Sequence, residues 1–165
     1  MNESEAIAAA QVLFLNDDNI WGCAETAFIV LKTAYGLPDS ADSSAAMALN
    51  GGVAHSGGTC SAISGAAMAV GLLAATRIAD HREAKRAARQ ITARLMGEFE
   101  AVYGSTGCRD LIGMEIWTEE GHRAFIEGGI WRDRCMRQIE FVVRRLLPLA
   151  DEATWQRVMD EVGAP

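Results

Sequence analysis

The residues of this chain best equipped for chemistry are its four cysteines, Cys23, Cys60, Cys108 and Cys135. No two of them form a CxxC pair. That excludes thioredoxin-like exchange within one turn and the usual zinc-ribbon and c-type haem spacings. Two follow similar leaders, Gly57-Gly58-Thr59-Cys60 and Gly104-Ser105-Thr106-Gly107-Cys108, each running from glycine through hydroxyl residues to cysteine. A glycine-rich turn, a hydroxyl residue and then an apolar run mark a loop entering a helix. Thr59 is the expected N-cap and Cys60 the first helical residue, with Cys108 in the first turn of a short helix. A thiol placed there faces unpaired N–H groups and the positive end of the helix dipole. Such a site favours thiolate, the form that attacks disulfides and binds metal. Cys60 and Cys108 are therefore the candidate reactive thiols.

The neighbours of these cysteines suggest further roles. His55 lies in the glycine loop five residues before Cys60 and is a candidate metal ligand, although a lone loop histidine is more often solvent-exposed. His81 and His122 sit among charged residues and read as surface positions. Arg109 follows Cys108 and is a candidate holder of a thiolate or anion, with Asp110 capping or pairing with it. The loop lacks the Gly-Lys-Ser/Thr ending of a nucleotide P-loop, and Ser64 has no nearby histidine–carboxylate pattern.

Helices must position these groups. Half of the residues are hydrophobic but only 7% are aromatic, and there are only three prolines among 165 residues. With abundant alanine, that composition suits packed helices and suits β-sheet poorly. Expected helices run from about Ser4 to Leu15, Ile20 to Tyr35, Asp39 to Asn50, Cys60 to Ile78, His81 to Tyr103, after Gly107, after Thr118, Ile130 to Leu147, and Asp151 to Val162. In the second, Ile20, Cys23, Ala24, Ala27, Phe28 and Leu31 share one stripe. In the helix after Gly129 the stripe is Trp131, Cys135, Gln138/Ile139, Val142 and Leu146. Both place a cysteine inward, and four helices could bring all four cysteines to one centre. The fifth helix carries Arg82, Lys85, Arg86, Arg89 and Arg94 and reads as a solvated outer face. Gly65, Ala66, Ala69 and Gly71 would let helices approach closely, within one chain or across a homodimer. Trp21, Trp117, Trp131 and Trp155 read as core or interface anchors.

The expected architecture is all-α, a single domain over residues 1–165, built as a bundle of about seven to eight helices around a buried Ala/Gly-rich helix. The net charge of −7 is uneven, with seven acidic residues and one lysine in the first fifty residues. Such a chain is a poor match for nucleic acid or an anionic membrane. The run Cys60–Thr76 is short for a membrane span, and the acidic start does not resemble a signal peptide. The expected location is cytoplasmic, where structural disulfides are rare.

The stretch Gly51-Gly52…Gly57-Gly58-Thr59-Cys60-Ser61-Ala62-Ile63-Ser64-Gly65 resembles the central signature of the C_GCAxxG_C_C family of redox-active proteins. Gly22-Cys23-Ala24 resembles its first cysteine, Gly104-Ser105…Cys108-Arg109-Asp110-Leu111-Ile112-Gly113 its third, and Cys135 its fourth. One departure is Ser61, where the family carries glycine. The resemblance implies a helical protein whose four cysteines, Cys23, Cys60, Cys108 and Cys135, form a redox-active or cofactor- and metal-binding centre. The same framework resembles the cluster-carrying part of split-Soret cytochromes, which implies a two-iron, two-sulfur cluster serving electron transfer or sensing with a redox partner protein. No CxxCH occurs, so no haem is implied. Three other functions stay open: a metal-free thiol–disulfide protein with Cys60 attacking and Cys108 or Cys23 resolving, a zinc or other metal site, and a structural protein with inert cysteines.

Overall fold

The computed structural model describes residues 1–163, and these are helical, as composition implies. Eight α-helices run in order: α1 (Glu3–Phe14), α2 (Cys23–Ala34), α3 (Ser61–Arg77), α4 (His81–Tyr103), α5 (Cys108–Ile112), α6 (Glu119–Glu127), α7 (Met136–Leu146) and α8 (Glu152–Gly163). Short 3-10 turns cover Ser44–Leu49 and Leu147–Ala150, and a π-helical segment, Trp131–Cys135, leads directly into α7. Among the described residues there is no strand, only one isolated antiparallel bridge between Thr59 and Gly107. Among the described residues, no helix is long and apolar enough to cross a membrane.

The starts and stops follow local chemistry. Asn2 caps α1, accepting from the Glu5 N–H at 2.9 Å while the Glu5 carboxylate accepts from the Asn2 N–H at 2.8 Å. Asp80 caps α4, and Gly104, at φ 79, ends it in the left-handed conformation that L-residues avoid. The expected start of α2 at Ile20 is too early: the helix opens at Cys23, and Ile20 is exposed. The reason is that the Glu25 carboxylate accepts from the Gly22 N–H at 3.0 Å and fixes the cap there. The expected third helix contracts to the 3-10 turn Ser44–Leu49.

α3 is the central element, packed by α2 on one side, α4 on another and α7 on a third. Its buried side is made of small residues, with Ala62, Ala66, Ala69 and Ala74 fully buried beside Ile63, Val70 and Leu73. Small side chains let α2 come close. A β-carbon on Gly65 would overlap the Ala24 carbonyl of α2, whereas one on Gly71 would meet nothing within 4 Å. α4 turns Ala84, Ala87, Ile91, Leu95 and Phe99 inward and its charges outward, where Arg94 pairs with Glu98 and with Glu161 of α8. These exposed pairs add little stability; burial of the apolar stripe holds the helix in place. Trp131 and Trp155 are buried as expected, but Trp117 is 42% exposed and no core residue.

The two glycines of α3 should respond oppositely to alanine. Gly65→Ala must push α2 away and is expected to cost about 1–3 kcal/mol, the range for overpacking. Gly71→Ala removes only backbone freedom and should gain about 0.5–1 kcal/mol. Urea unfolding of the two variants checks both signs.

Candidate functional site

The two similar leaders of Cys60 and Cys108 pair with each other. The Cys60 N–H donates to the Thr106 carbonyl at 2.7 Å, the Cys108 N–H to Gly58 at 2.6 Å, and the Arg109 N–H to Gly57 at 3.2 Å. This short antiparallel contact fixes the starts of α3 and α5 side by side. It also moves the cap: Thr59 is committed to the bridge, so Cys60 and not Thr59 is the N-cap of α3. Cys108 opens α5 as expected.

The loop before this contact has an unusual backbone. Gly51, Gly52, Val53, Ala54 and His55 all have positive φ, between 50° and 73°. Five consecutive residues thus sit at positive φ, and for each of the three non-glycines that conformation costs roughly 1–2 kcal/mol. Ser61 holds this turn. Its buried hydroxyl accepts from the Gly52 N–H at 2.9 Å and donates to the Leu49 carbonyl at 2.7 Å. Asn50 ties the same loop to α2: its Oδ1 accepts from the Ala24 N–H at 3.0 Å and its Nδ2 donates to the Glu25 carboxylate at 2.8 Å. The turn delivers His55 onto His122 of α6, the two rings stacked 5.0 Å apart with an 18° interplanar angle.

All four cysteines line one cavity of ≈ 90 Å³. Cys23 enters from the first residue of α2, Cys60 from the cap of α3, Cys108 from the first residue of α5, and Cys135 from the end of the π-helical segment. Cys60, Cys108 and Cys135 are buried and Cys23 partly so, and all four are free thiols. Buried Gln138, one turn beyond Cys135, accepts the Cys60 thiol at Oε1, 3.5 Å away. Phe14 packs edge-on against Trp131, with ring centroids 5.5 Å apart, and both belong to the apolar wall. Two wider grooves beside α8 contain neither cysteine nor histidine.

His122, read from sequence as a surface residue, lines this cavity with His55; His81 is exposed as expected. Arg109 turns away from it. Its guanidinium lies 4.4 Å over the Trp117 ring, and Asp110 instead accepts from the Ser105 hydroxyl at 2.9 Å. Neither residue is placed to hold a thiolate.

Electrostatics here runs opposite to the helix-dipole expectation. Burial pushes the Cys60 thiol up to about 12, although the N–H groups of Ala62 and Ile63 pull it down. Burial, and then the charge of Cys135, push Cys108 up to about 12 as well. Cys23 is raised by its hydrogen-bonding neighbour Cys135, then by burial and by the charges of the other cysteines. The dipole is real, but desolvation wins, and Cys60 and Cys108 rest as protonated thiols. His55 is held below the ordinary imidazole value by burial and by His122. Among the described residues, no three Cys, His, Asp or Glu side chains stand at the spacing of a single metal ion.

Two measurements test this geometry. Ser61→Ala strands the buried Gly52 N–H, leaves the Leu49 carbonyl with the Val53 N–H alone, and should cost about 1–3 kcal/mol in urea unfolding. The thiols predict a pH effect. Below 9.0, Cys60 and Cys108 are protonated in both folded and unfolded chains; above it only the unfolded chain gives up those protons, until about 12. Each thiol then subtracts up to about 1.4 kcal/mol per pH unit. The reduced, metal-free protein should therefore be less stable at pH 10 than at pH 8, and Cys60→Ala with Cys108→Ala should flatten that slope.

No curated protein and no solved structure matches the chain. Residues 21–147 match the model of one family, described as putative redox-active protein (C_GCAxxG_C_C), and span all four cysteines, both glycine leaders and every cavity-lining residue except Phe14 and Asn19. The chain belongs to the C_GCAxxG_C_C family of redox-active proteins.

Proposed function

We propose that Cys23, Cys60, Cys108 and Cys135 act as one redox centre and hold an iron–sulfur cluster of the two-iron, two-sulfur type. The observation that carries this reading is the convergence of all four thiols on one cavity. The donor set fits such a group: four soft sulfur ligands, with no carboxylate in the lining. Four like charges cannot share a small buried space unless a cation balances them, and metal binding displaces the thiol protons. Once bound, the cluster would supply one-electron chemistry. The chain's own part is to present the sulfurs, exclude water with Phe14 and Trp131, and offer the Gln138 carboxamide beside Cys60. The electrons would pass to and from a partner protein in a reducing, cytoplasmic setting.

One observation favours a second reading. Cys135 is the neighbour that raises the Cys23 thiol most, which makes these two the natural pair for a disulfide. With its protons held so firmly, Cys60 is a poor attacking thiolate at neutral pH, which weighs against it as the nucleophile of a metal-free mechanism.

Anaerobic purification decides between the two. The cluster reading expects iron and acid-labile sulfide in equal amounts, with visible absorbance lost in Cys60→Ser and Cys108→Ser. A colourless, iron-free protein in which mild oxidation removes two free thiols, at Cys23 and Cys135, would establish the disulfide instead.

A further inference from the structure

Three of the four thiols are fixed by backbone pairing or by burial. Cys60 and Cys108 are tied to one frame by the bridge between their leaders, and Cys135 is buried in the π-helical segment. Cys23 is different. It is the one cysteine that is partly exposed, and it stands at the first residue of α2, where a helix is least secured by its own hydrogen bonds. Gly22, the N-cap, has no side chain to hold that end. The capping comes from a distant loop. Asn50 Oδ1 accepts from the Ala24 N–H at 3.0 Å, and Asn50 Nδ2 donates to the Glu25 carboxylate at 2.8 Å. The same carboxylate accepts from the Gly22 N–H and from the buried Ser43 hydroxyl, each at 3.0 Å. Glu25 is buried, and the donors that satisfy it are neutral.

The geometry points to Asn50 and Glu25 as the positioning pair of the cysteine centre, a latch that holds Cys23, its one accessible thiol, against the loop that carries Cys60. The linkage is continuous. Asn50 grips Ala24 and Glu25, the two residues after Cys23, and leads directly into Gly51-Gly52; the Gly52 N–H then donates to Ser61, the neighbour of Cys60. Gly22, Cys23, Asn50, Gly51, Cys60 and Ser61 all line the cavity. The fit leaves no room for a side chain at Gly22, where a β-carbon would overlap the Asn50 carboxamide. Glycine is required there by close approach and not by backbone angle, since its φ is −81°. The inference rests on the four cysteines forming one centre, but not on what they hold.

Helix packing alone would not do this. α2 is seated on α3 through small residues, with Gly65 lying against the Ala24 carbonyl, and that contact sets how closely the two helices approach. It leaves the first turn of α2 open to fraying, which costs little at a helix end and would carry the Cys23 sulfur away from the other three. The latch acts on that turn. Glu25 closes it from within the helix, and Asn50 closes it from the loop.

The test reads thiol reactivity in the reduced, metal-free protein, by iodoacetamide alkylation followed site by site with peptide mass spectrometry. Asn50→Ala removes both hydrogen bonds, and Gly22→Ala displaces the same carboxamide from the other side. Each is expected to speed alkylation of Cys23 about tenfold or more, the scale of losing one or two hydrogen bonds at a helix end. Cys60, Cys108 and Cys135 should keep their rates. Asn50→Asp keeps the size but sets two carboxylates together, and should release Cys23 as well; adding Glu25→Gln returns a donor to the pair and is expected to restore protection. An unchanged Cys23, equal acceleration of all four thiols, or a double variant that does not rescue would overturn the latch. Iron analysis of the parent protein, purified anaerobically, keeps the two ideas apart. Selective release of Cys23 in an iron-free protein would sink the cluster and keep the latch; iron without selective release would do the converse.

Discussion

The site depends on a very small piece of sheet-like pairing in a helical protein. Residues 57–60 and 106–109 exchange three backbone hydrogen bonds, and nothing else joins the starts of α3 and α5 so directly. Helix packing brings elements together with tolerances of a side chain, whereas backbone hydrogen bonds fix distance and direction more closely. By spending the Cys60 and Cys108 N–H groups on each other's loops, the fold ties two thiols at separate helix starts to one frame. α2 and the π-helical segment then need only bring Cys23 and Cys135 to that frame.

A second constraint is desolvation. Helix N-termini are often invoked as thiolate sites, and both Cys60 and Cys108 stand at such ends. Here the lost hydration of a charged sulfur outweighs the dipole, and neighbouring thiols add their own repulsion. Cys60 and Cys108 thus stay protonated thiols at neutral pH. That is a different design from an exposed, activated cysteine.

Much of this was legible in the sequence, and the reasons are physical. Cysteine is rare enough that four in family spacing stand out, and α4 declared itself through a charged face opposite an alanine-leucine stripe. The glycine leaders marked both helix entries, though not that they pair, because a two-residue bridge has no periodicity. Thr59 was a sound cap on propensity and lost the position to a tertiary hydrogen bond. The turn at positive φ escaped notice because Val53, Ala54 and His55 are types that disfavour it. His122 escaped because its charged neighbours on α6 do face solvent while its own ring turns toward His55. Ser61 is a small polar residue with no pattern of its own in the sequence, and only the fold shows its hydroxyl holding Gly52 and Leu49.

The π-helical segment carries a further consequence. An α-helix advances about 100° per residue, so the wider turn at Trp131–Cys135 works as a phase shifter between two faces of one rod. At its first residue, Trp131 keys into Phe14; beyond it, Ile139, Val142 and Leu146 key into the core. With a regular α-turn, one of those two faces would have to rotate out of register. The extra residue lets Cys135 reach the cavity while both faces stay seated, so this segment is tuned by its length as much as by its composition.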